Sequence, residues 1–240
     1  MQFKHTITMK ATAPMATLET EPQPSLIELR ERFFTALLSD VLDDLGYMNQ
    51  AMHHTIRPLD SSLVMVGRAR TALCMDVYER PAPGENPYEL EIKLVDDLKV
   101  DEIPVFACGT SGRMAPWGGL LSTAAKFRGS AGAVMDGLVR DTREILAAGF
   151  PVFHGGIAPL DCKGRGKVAA LDVGIECSGV KVNSGDLVFG DADGVIVVPQ
   201  EIEAKVLEVA QERLRGERNT LADLEAGERL ATVFAKYGIL

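Results

Sequence analysis

Between residues 102 and 157 the chain changes its apolar period four times. "EIPVFAC" is a short apolar run of strand length, and "GGLLSTAAKFRG" reads as a helix opened by glycine and closed at Gly129. "AGAVMDG" returns to strand, "TREILAAG" to helix and "FPVFHG" to strand. Strand-length runs alternating with helical patterns point to an α/β fold. This alternation restricts the architecture more than any other feature of the chain.

The flanks are simpler. Ser25 stands where it can cap a helix through "LIELRERFF", and "TALLSDVLDDLG" continues helically to a stop at Gly46. "LVMVGRARTALCMD" is β-rich with one permissive Gly67, and a Pro/Gly loop then leads to the helix-like "YELEIKLVDDL". After the loop "GIAPLDCKGRG", the segments "KVAALDVGIECSGVKV", "DLVFGD" and "GVIVVP" read as strands with Gly/Asp turns. Two amphipathic helices, "QEIEAKVLEVAQERLRGER" and "TLADLEAGERLATVFAKYG", are expected at the end. The division that follows is an arm at 1–24, an α/β domain at 25–200 and helices at 201–240.

Composition narrows the function classes. With 240 residues, 46% of them hydrophobic, the chain can bury a substantial core. Its net charge of −9 argues against broad nucleic-acid binding, which needs a basic face. No apolar run approaches the ~18–20 residues that span a bilayer, and "MQFKHTITMKATAP" lacks the apolar region of a signal peptide. Cys74, Cys108, Cys162 and Cys177 form no CxxC pair and read as reduced thiols. A cytoplasmic protein with no membrane or direct nucleic-acid partner is expected.

Chemistry concentrates in "DGLVRDTREI", which carries Asp136, Arg140, Asp141 and Glu144. A strand ending at Met135, with a sharp turn at Gly137, would set Arg140 and Asp141 at the start of the next helix. Strand ends of this kind are where α/β proteins bind ligands. A guanidinium there can hold a carboxylate or a developing oxyanion. The adjoining carboxylate can hold a hard cation such as Mg²⁺, which often takes only one or two protein carboxylates. The structural alternative is that Asp141 caps the helix while Arg140 pairs with it or with Glu144.

A second stretch, "PWGGLLSTAAKFRG", opens a helix at Gly118 and Gly119, whose N–H groups can receive an anion; a tight turn is the alternative. "SGDLVFGDADGVIVVP" reads as hairpin turns. Weaker candidates are Asp40, Asp43 and Asp44 on one helix, His154 after "FPVF", and Lys163 and Arg165 in "DCKGRG" as binders of a distal carboxylate. Trp117 reads as packing.

The order "WGGLLSTAAKFRGSAGAVMDGLVRD…FPVF…GRGKV…VNSGDLVFGDADGVIVVP" resembles the RraA-like group across residues 25 to 210. That group includes the 4-hydroxy-4-methyl-2-oxoglutarate aldolases, related oxaloacetate decarboxylases and the RraA inhibitors of ribonuclease E. The resemblance implies a three-layer β/β/α fold of swivelling-domain type and a homotrimer or hexamer. It implies that Asp141 ligates a divalent metal, Mg²⁺ or Mn²⁺, and that Arg140 binds the keto acid and stabilises its enolate. Gly118, Gly119, Leu120 and Leu121 would contact substrate, largely through backbone.

One position departs from the pattern. Where aldolase members carry an acidic residue thought to position a metal-bound water, this chain has Gly119. Glu144, one helical turn beyond Asp141, is the candidate replacement. The resulting expectation is a metal-dependent carbon–carbon lyase, of the class II pyruvate aldolase or oxaloacetate decarboxylase type, acting on a short 2-oxo acid. The alternatives are a non-catalytic ring that binds and regulates a ribonuclease, and a lyase or hydratase acting on a sugar acid.

Overall fold

The computed structural model describes residues 23–238, so the arm expected at 1–24 lies almost wholly outside the described residues. Helices α1 (Leu26–Arg32) and α2 (Thr35–Asp44) come first, followed by strands β1 (Arg57–Pro58) and β2 (Met65–Asp76). Then α3 (Glu89–Asp96), β3 (Glu102–Ala107), α4 (Gly119–Phe127), β4 (Ala133–Val139), α5 (Thr142–Ala148) and β5 (Val152–Ile157) alternate. The strand-rich part supplies β6 (Gly166–Leu171), β7 (Ile175–Cys177), β8 (Val180–Val182), β9 (Leu187–Gly190) and β10 (Val195–Val198). Helices α6 (Glu203–Glu225) and α7 (Leu230–Tyr237) close the order.

The main sheet runs β1-β5-β4-β3-β2-β9-β10, with β6 also paired to β2. Strands β2, β3, β4 and β5 are mutually parallel, as strands joined through helices must be. Along β3 and β4 the side chains alternate between two cores, as the period of two requires. Phe106, Ala133 and Met135 pack with Leu94, Val95, Ala125 and Ile145 of the helical layer. Ile103, Val105, Ala107 and Val134 pack on the other face with Ile175, Cys177, Val180 and Val182 of the β7–β8 hairpin. Hairpin, sheet and helices therefore stack as the β/β/α layers expected from the resemblance. A third core joins α1, α2 and α6 to β2, β9 and β10 through Leu37, Leu38, Val66, Phe189 and Val206.

Four local expectations need correction. Strand β4 does not stop at Met135 but runs to Val139, with its pairing to β5 shifting register between Met135 and Leu138. Gly137 is needed there for a close approach, not a turn: a Cβ on it would lie 2.8 Å from Cys108 Sγ. Gly67 is likewise no matter of backbone freedom, since its Cβ would fall 2.2 Å from the Asp101 carbonyl oxygen. The helix expected to end at Arg218 continues to Glu225 and breaks only at Gly227, whose φ is +90°.

Other local signals hold. Ser25 caps α1 in a reciprocal pair with Glu28. The "GDADG" turn is structural: Asp191 accepts from the Thr35 N–H at 2.8 Å and from its hydroxyl at 2.7 Å, capping α2.

Candidate active site

The C-terminal end of β4 delivers Arg140 and Asp141 to the start of α5, as the sequence implied. The Arg140 N–H donates to the Trp117 carbonyl at 3.0 Å, tying this strand end to the glycine loop ahead of α4. Trp117 is fully buried, donates from Nε1 to Ser122 Oγ at 2.8 Å and stacks on Phe150. It is the packing residue that the sequence suggested, and it anchors the loop.

Asp141 occupies the N-cap position of α5 in a left-handed conformation, φ +56°, yet its side chain caps nothing in that helix. The capping alternative therefore fails. The carboxylate turns across to α4, where its Oδ2 accepts the Gly119 N–H at 3.1 Å. The anion received at this helix start is thus Asp141 itself. Gly118, in extended backbone with φ −160°, makes room: a Cβ there would lie 2.6 Å from Asp141 Oδ2 and 3.1 Å from Arg140 Cγ. The N–H groups of Leu120 and Leu121, in the first turn of α4, have no intrahelical acceptor.

Gly118, Leu120, Leu121, Arg140 and Asp141 line one cavity of about 290 Å³. Its far wall is made by residues that sequence reading missed: Tyr88, Glu91, Asp161 and Cys162. Arg140 bridges the two sides, with Nε 3.8 Å from Asp141 Oδ2 and Nη1 3.5 Å from Asp161 Oδ1. Asp161 Oδ2 in turn accepts the Tyr88 hydroxyl at 2.6 Å. Burial would raise the Asp161 carboxyl, but the Tyr88 hydrogen bond and Arg140 bring it below the usual carboxylate range. Burial, and then the Asp161 hydrogen bond, push the Tyr88 hydroxyl up to about 12.

Glu91 is the unusual member of the wall. It lies on the buried stripe of α3 with Leu94 and Val95 and is only 5% exposed. Its Oε1 has no hydrogen-bond partner among the described residues. Burial pushes its carboxyl up to about 7. A signal was present in the sequence: the acid interrupts the apolar face of "YELEIKLVDDL" at the 91, 94, 95 spacing.

The remaining candidates fall elsewhere. Glu144 is exposed and does not line the cavity, but its Cβ lies 3.1 Å from where a Cβ on Gly119 would stand. Asp136 accepts N–H bonds from Cys108, from Gly109 at 3.2 Å and from Ser178 at 3.3 Å, and so ties β4 to its neighbours. Asp40 and Asp44 face Arg213 of α6, at 3.9 and 3.3 Å, and Asp43 is exposed on the same helix. His154 is buried in β5, its Nδ1 without a hydrogen-bond partner among the described residues. Lys163 and Arg165 are exposed and outside the cavity lining, with Arg165 donating to the Asp161 carbonyl at 3.3 Å. No described helix is long and apolar enough to cross a membrane.

Residues 35–197 match the RraA-like family described as Aldolase/RraA. A protein of Halalkalibacterium halodurans, provisionally named as a 4-hydroxy-4-methyl-2-oxoglutarate aldolase, is 36% identical over 195 residues, covering 81% of this chain and 83% of that one. The 4-hydroxy-4-methyl-2-oxoglutarate aldolase of Thermus thermophilus is 28% identical over 159 residues, 66% of this chain and 90% of its own. The fold matches the crystal structure of Streptomyces coelicolor RraAS2, an unusual member of the RNase ES inhibitor RraA family, with a TM-score of 0.72. That match covers 83% of this chain and 98% of RraAS2 at 24% identity. By the family match, the relatives and the fold, the chain belongs to the RraA-like family.

Proposed function

We propose that the protein is a divalent-metal-dependent carbon–carbon lyase acting on a short 2-oxo acid, by aldol cleavage or decarboxylation to a pyruvate enolate. The observation that carries this reading is the meeting of Arg140, Asp141 and the α4 N-terminus at one cavity. The aldolase names of the relatives support it.

The donor set fits a hydrated hard cation. Asp141 is fixed through one oxygen while 45% of its side chain stays exposed. Mg²⁺ or Mn²⁺ sites of this kind use one or two protein carboxylates and leave the other positions to water and substrate. Among the described residues no group of three or more His, Cys, Asp or Glu is placed to hold a metal, which does not fit a closed thiolate or imidazole cage. Bound at Asp141, the cation would draw electron density from the keto group of the substrate.

The side chains of the chain do the rest. Arg140, 37% exposed and forked toward the cavity, holds the substrate carboxylate and neutralises charge gathering on the keto oxygen. The N–H groups of Leu120 and Leu121 in the first turn of α4 orient the acid, and the buried Trp117 and Ala115 make the wall apolar. Glu144, over Gly119, is proposed to position a water where aldolase members carry an acidic residue. Assembly as a homotrimer or hexamer belongs to the same proposal: Leu120 at 86% and Phe127 at 93% exposure leave apolar surface on α4 for a neighbour. The alternative of a non-catalytic docking ring has fold likeness behind it but gives this cavity no role.

The test is pyruvate production from oxaloacetate and from 4-hydroxy-4-methyl-2-oxoglutarate, after EDTA treatment and after adding back Mg²⁺ or Mn²⁺. Metal-restored turnover on either substrate is expected. A flat trace on both overturns the reading.

A further inference from the structure

We propose that Glu91 is the proton carrier of this pocket, the side chain that moves a proton to and from C3 of the enolate. The proposal rests on the lyase reading and deepens it. Its basis is position. Glu91 lines the same cavity as Asp141, from α3, with one carboxyl oxygen buried and without a hydrogen-bond partner among the described residues. A buried carboxyl with one oxygen unsatisfied destabilises a fold, and leucine would serve the buried stripe of α3 better. A group kept there at that cost, facing a substrate-sized space, is suited to chemistry.

The other titratable groups on this wall are committed elsewhere. Asp161 is held in its ionised form by Tyr88 and Arg140, and the Tyr88 hydroxyl is bound to Asp161. The Cys162 thiol donates to the Ala115 carbonyl at 3.5 Å, also bonds the Glu91 carboxyl, and is pushed up by burial and by Glu91. Cys108 is not part of the cavity lining, and its thiol is raised by its bond to Cys74 and by burial. That leaves Glu91, whose carboxyl at about 7 can both give and take a proton at neutral pH.

The proton balance closes in both reactions. In aldol cleavage the Glu91 carboxylate takes the proton of the C4 hydroxyl as C4=O forms and the C3–C4 bond breaks. The electron pair of that bond passes into the enolate, and Glu91 returns the proton to C3 to give pyruvate. In decarboxylation CO₂ carries off the carboxyl carbon, Glu91 protonates C3, and water restores the proton to Glu91.

The experiment follows pyruvate in D₂O by proton NMR, reading exchange of the C3 methyl protons catalysed by the metal-loaded protein, beside oxaloacetate decarboxylation. The wild-type chain is expected to do both. Glu91→Gln should lose exchange by about 100-fold or more, the scale of a missing general acid–base group. It should lose far less decarboxylation, because CO₂ departure needs no base and water can quench the released enolate. Exchange unchanged in Glu91→Gln overturns the proposal while leaving the lyase reading intact, as does a wild-type chain that decarboxylates without exchanging pyruvate. A wild-type chain inert in both assays, and on the aldol substrate, overturns both together. If Glu91→Gln does not fold, the pH profile of wild-type exchange decides: an inflection near neutrality supports Glu91, and a flat profile overturns it.

Discussion

The Gly119 N–H donates to Asp141 Oδ2 at 3.1 Å, joining the first turn of one helix to the residue that begins the next. Gly118 beside it leaves no space for a methyl group, since a Cβ would sit 2.6 Å from the same oxygen. The two glycines thus hold a carboxylate in one orientation.

Gly118→Ala should therefore impair activity far more than stability. The extended backbone at Gly118 accepts alanine without strain, but Asp141 must move. A displacement near 1 Å at a reacting centre can cost about 100-fold in rate. Steady-state kinetics beside thermal unfolding checks this, with a loss of at least tenfold in kcat/KM expected and little change in Tm.

Arg140→Ala should remove about 3–4 kcal/mol of transition-state stabilisation, the scale of a lost oxyanion donor. Arg140→Lys should rescue little, because an ammonium lacks the planar fork. Both variants should fold, since the ion pairs of Arg140 are half-exposed and long, at 3.5 and 3.8 Å. Near-normal kcat/KM in Arg140→Ala would sink its assignment.

Glu144→Gln tests the replacement for the acid absent at Gly119. At saturating metal, turnover should fall by about tenfold or more if this carboxylate positions a water. Circular dichroism should be unchanged, because the side chain is exposed. An unaltered rate removes Glu144 from the reaction.

Glu91 should also show in stability. Its carboxyl titrates at about 7 in the folded chain against an ordinary 4.5, because burial disfavours the charge. Between those values the folded chain keeps a proton that the unfolded chain has released. Stability is then fullest below about 4.5 and falls as pH rises through about 7. The loss is on the order of 3 kcal/mol for such a shift. Glu91→Gln carries no charge to bury, so urea unfolding should find it stabilised by that order at about pH 8.5 and nearly unchanged at about pH 4.5. A difference between the variants that does not vary with pH would contradict the buried, protonated Glu91.

Local rules accounted for most of the elements. Period changes marked β3, α4, β4, α5 and β5, and the Ser25 cap and the Gly46 stop bounded the first helices. Where local reading failed, a contact from elsewhere was responsible. Glycine at 137 or 67 looks like conformational freedom until Cys108 or Asp101 is found against it. α6 runs through Gly216 and past Arg218 with Leu214 and Thr220 buried on its inner face, and breaks at Gly227.

The chemistry divides in the same way. Arg140 and Asp141 were legible because they are adjacent in sequence between a strand pattern and a helix pattern, although the strand runs four residues further than its pattern suggested. Their partners were not. Tyr88 and Asp161 are 73 residues apart, and the Gly119–Asp141 bond spans 22. Parallel pairing of β2, β3, β4 and β5, which brings successive strand ends to one edge of the sheet, makes those side chains neighbours. Side-chain pattern sets the period of each segment, whereas the juxtaposition of segments depends on which sheet order buries the most apolar surface at once. Glu91 belongs mostly to that second kind of information: its sequence shows an acid interrupting the apolar face of a helix, and the packed molecule places it in a buried wall.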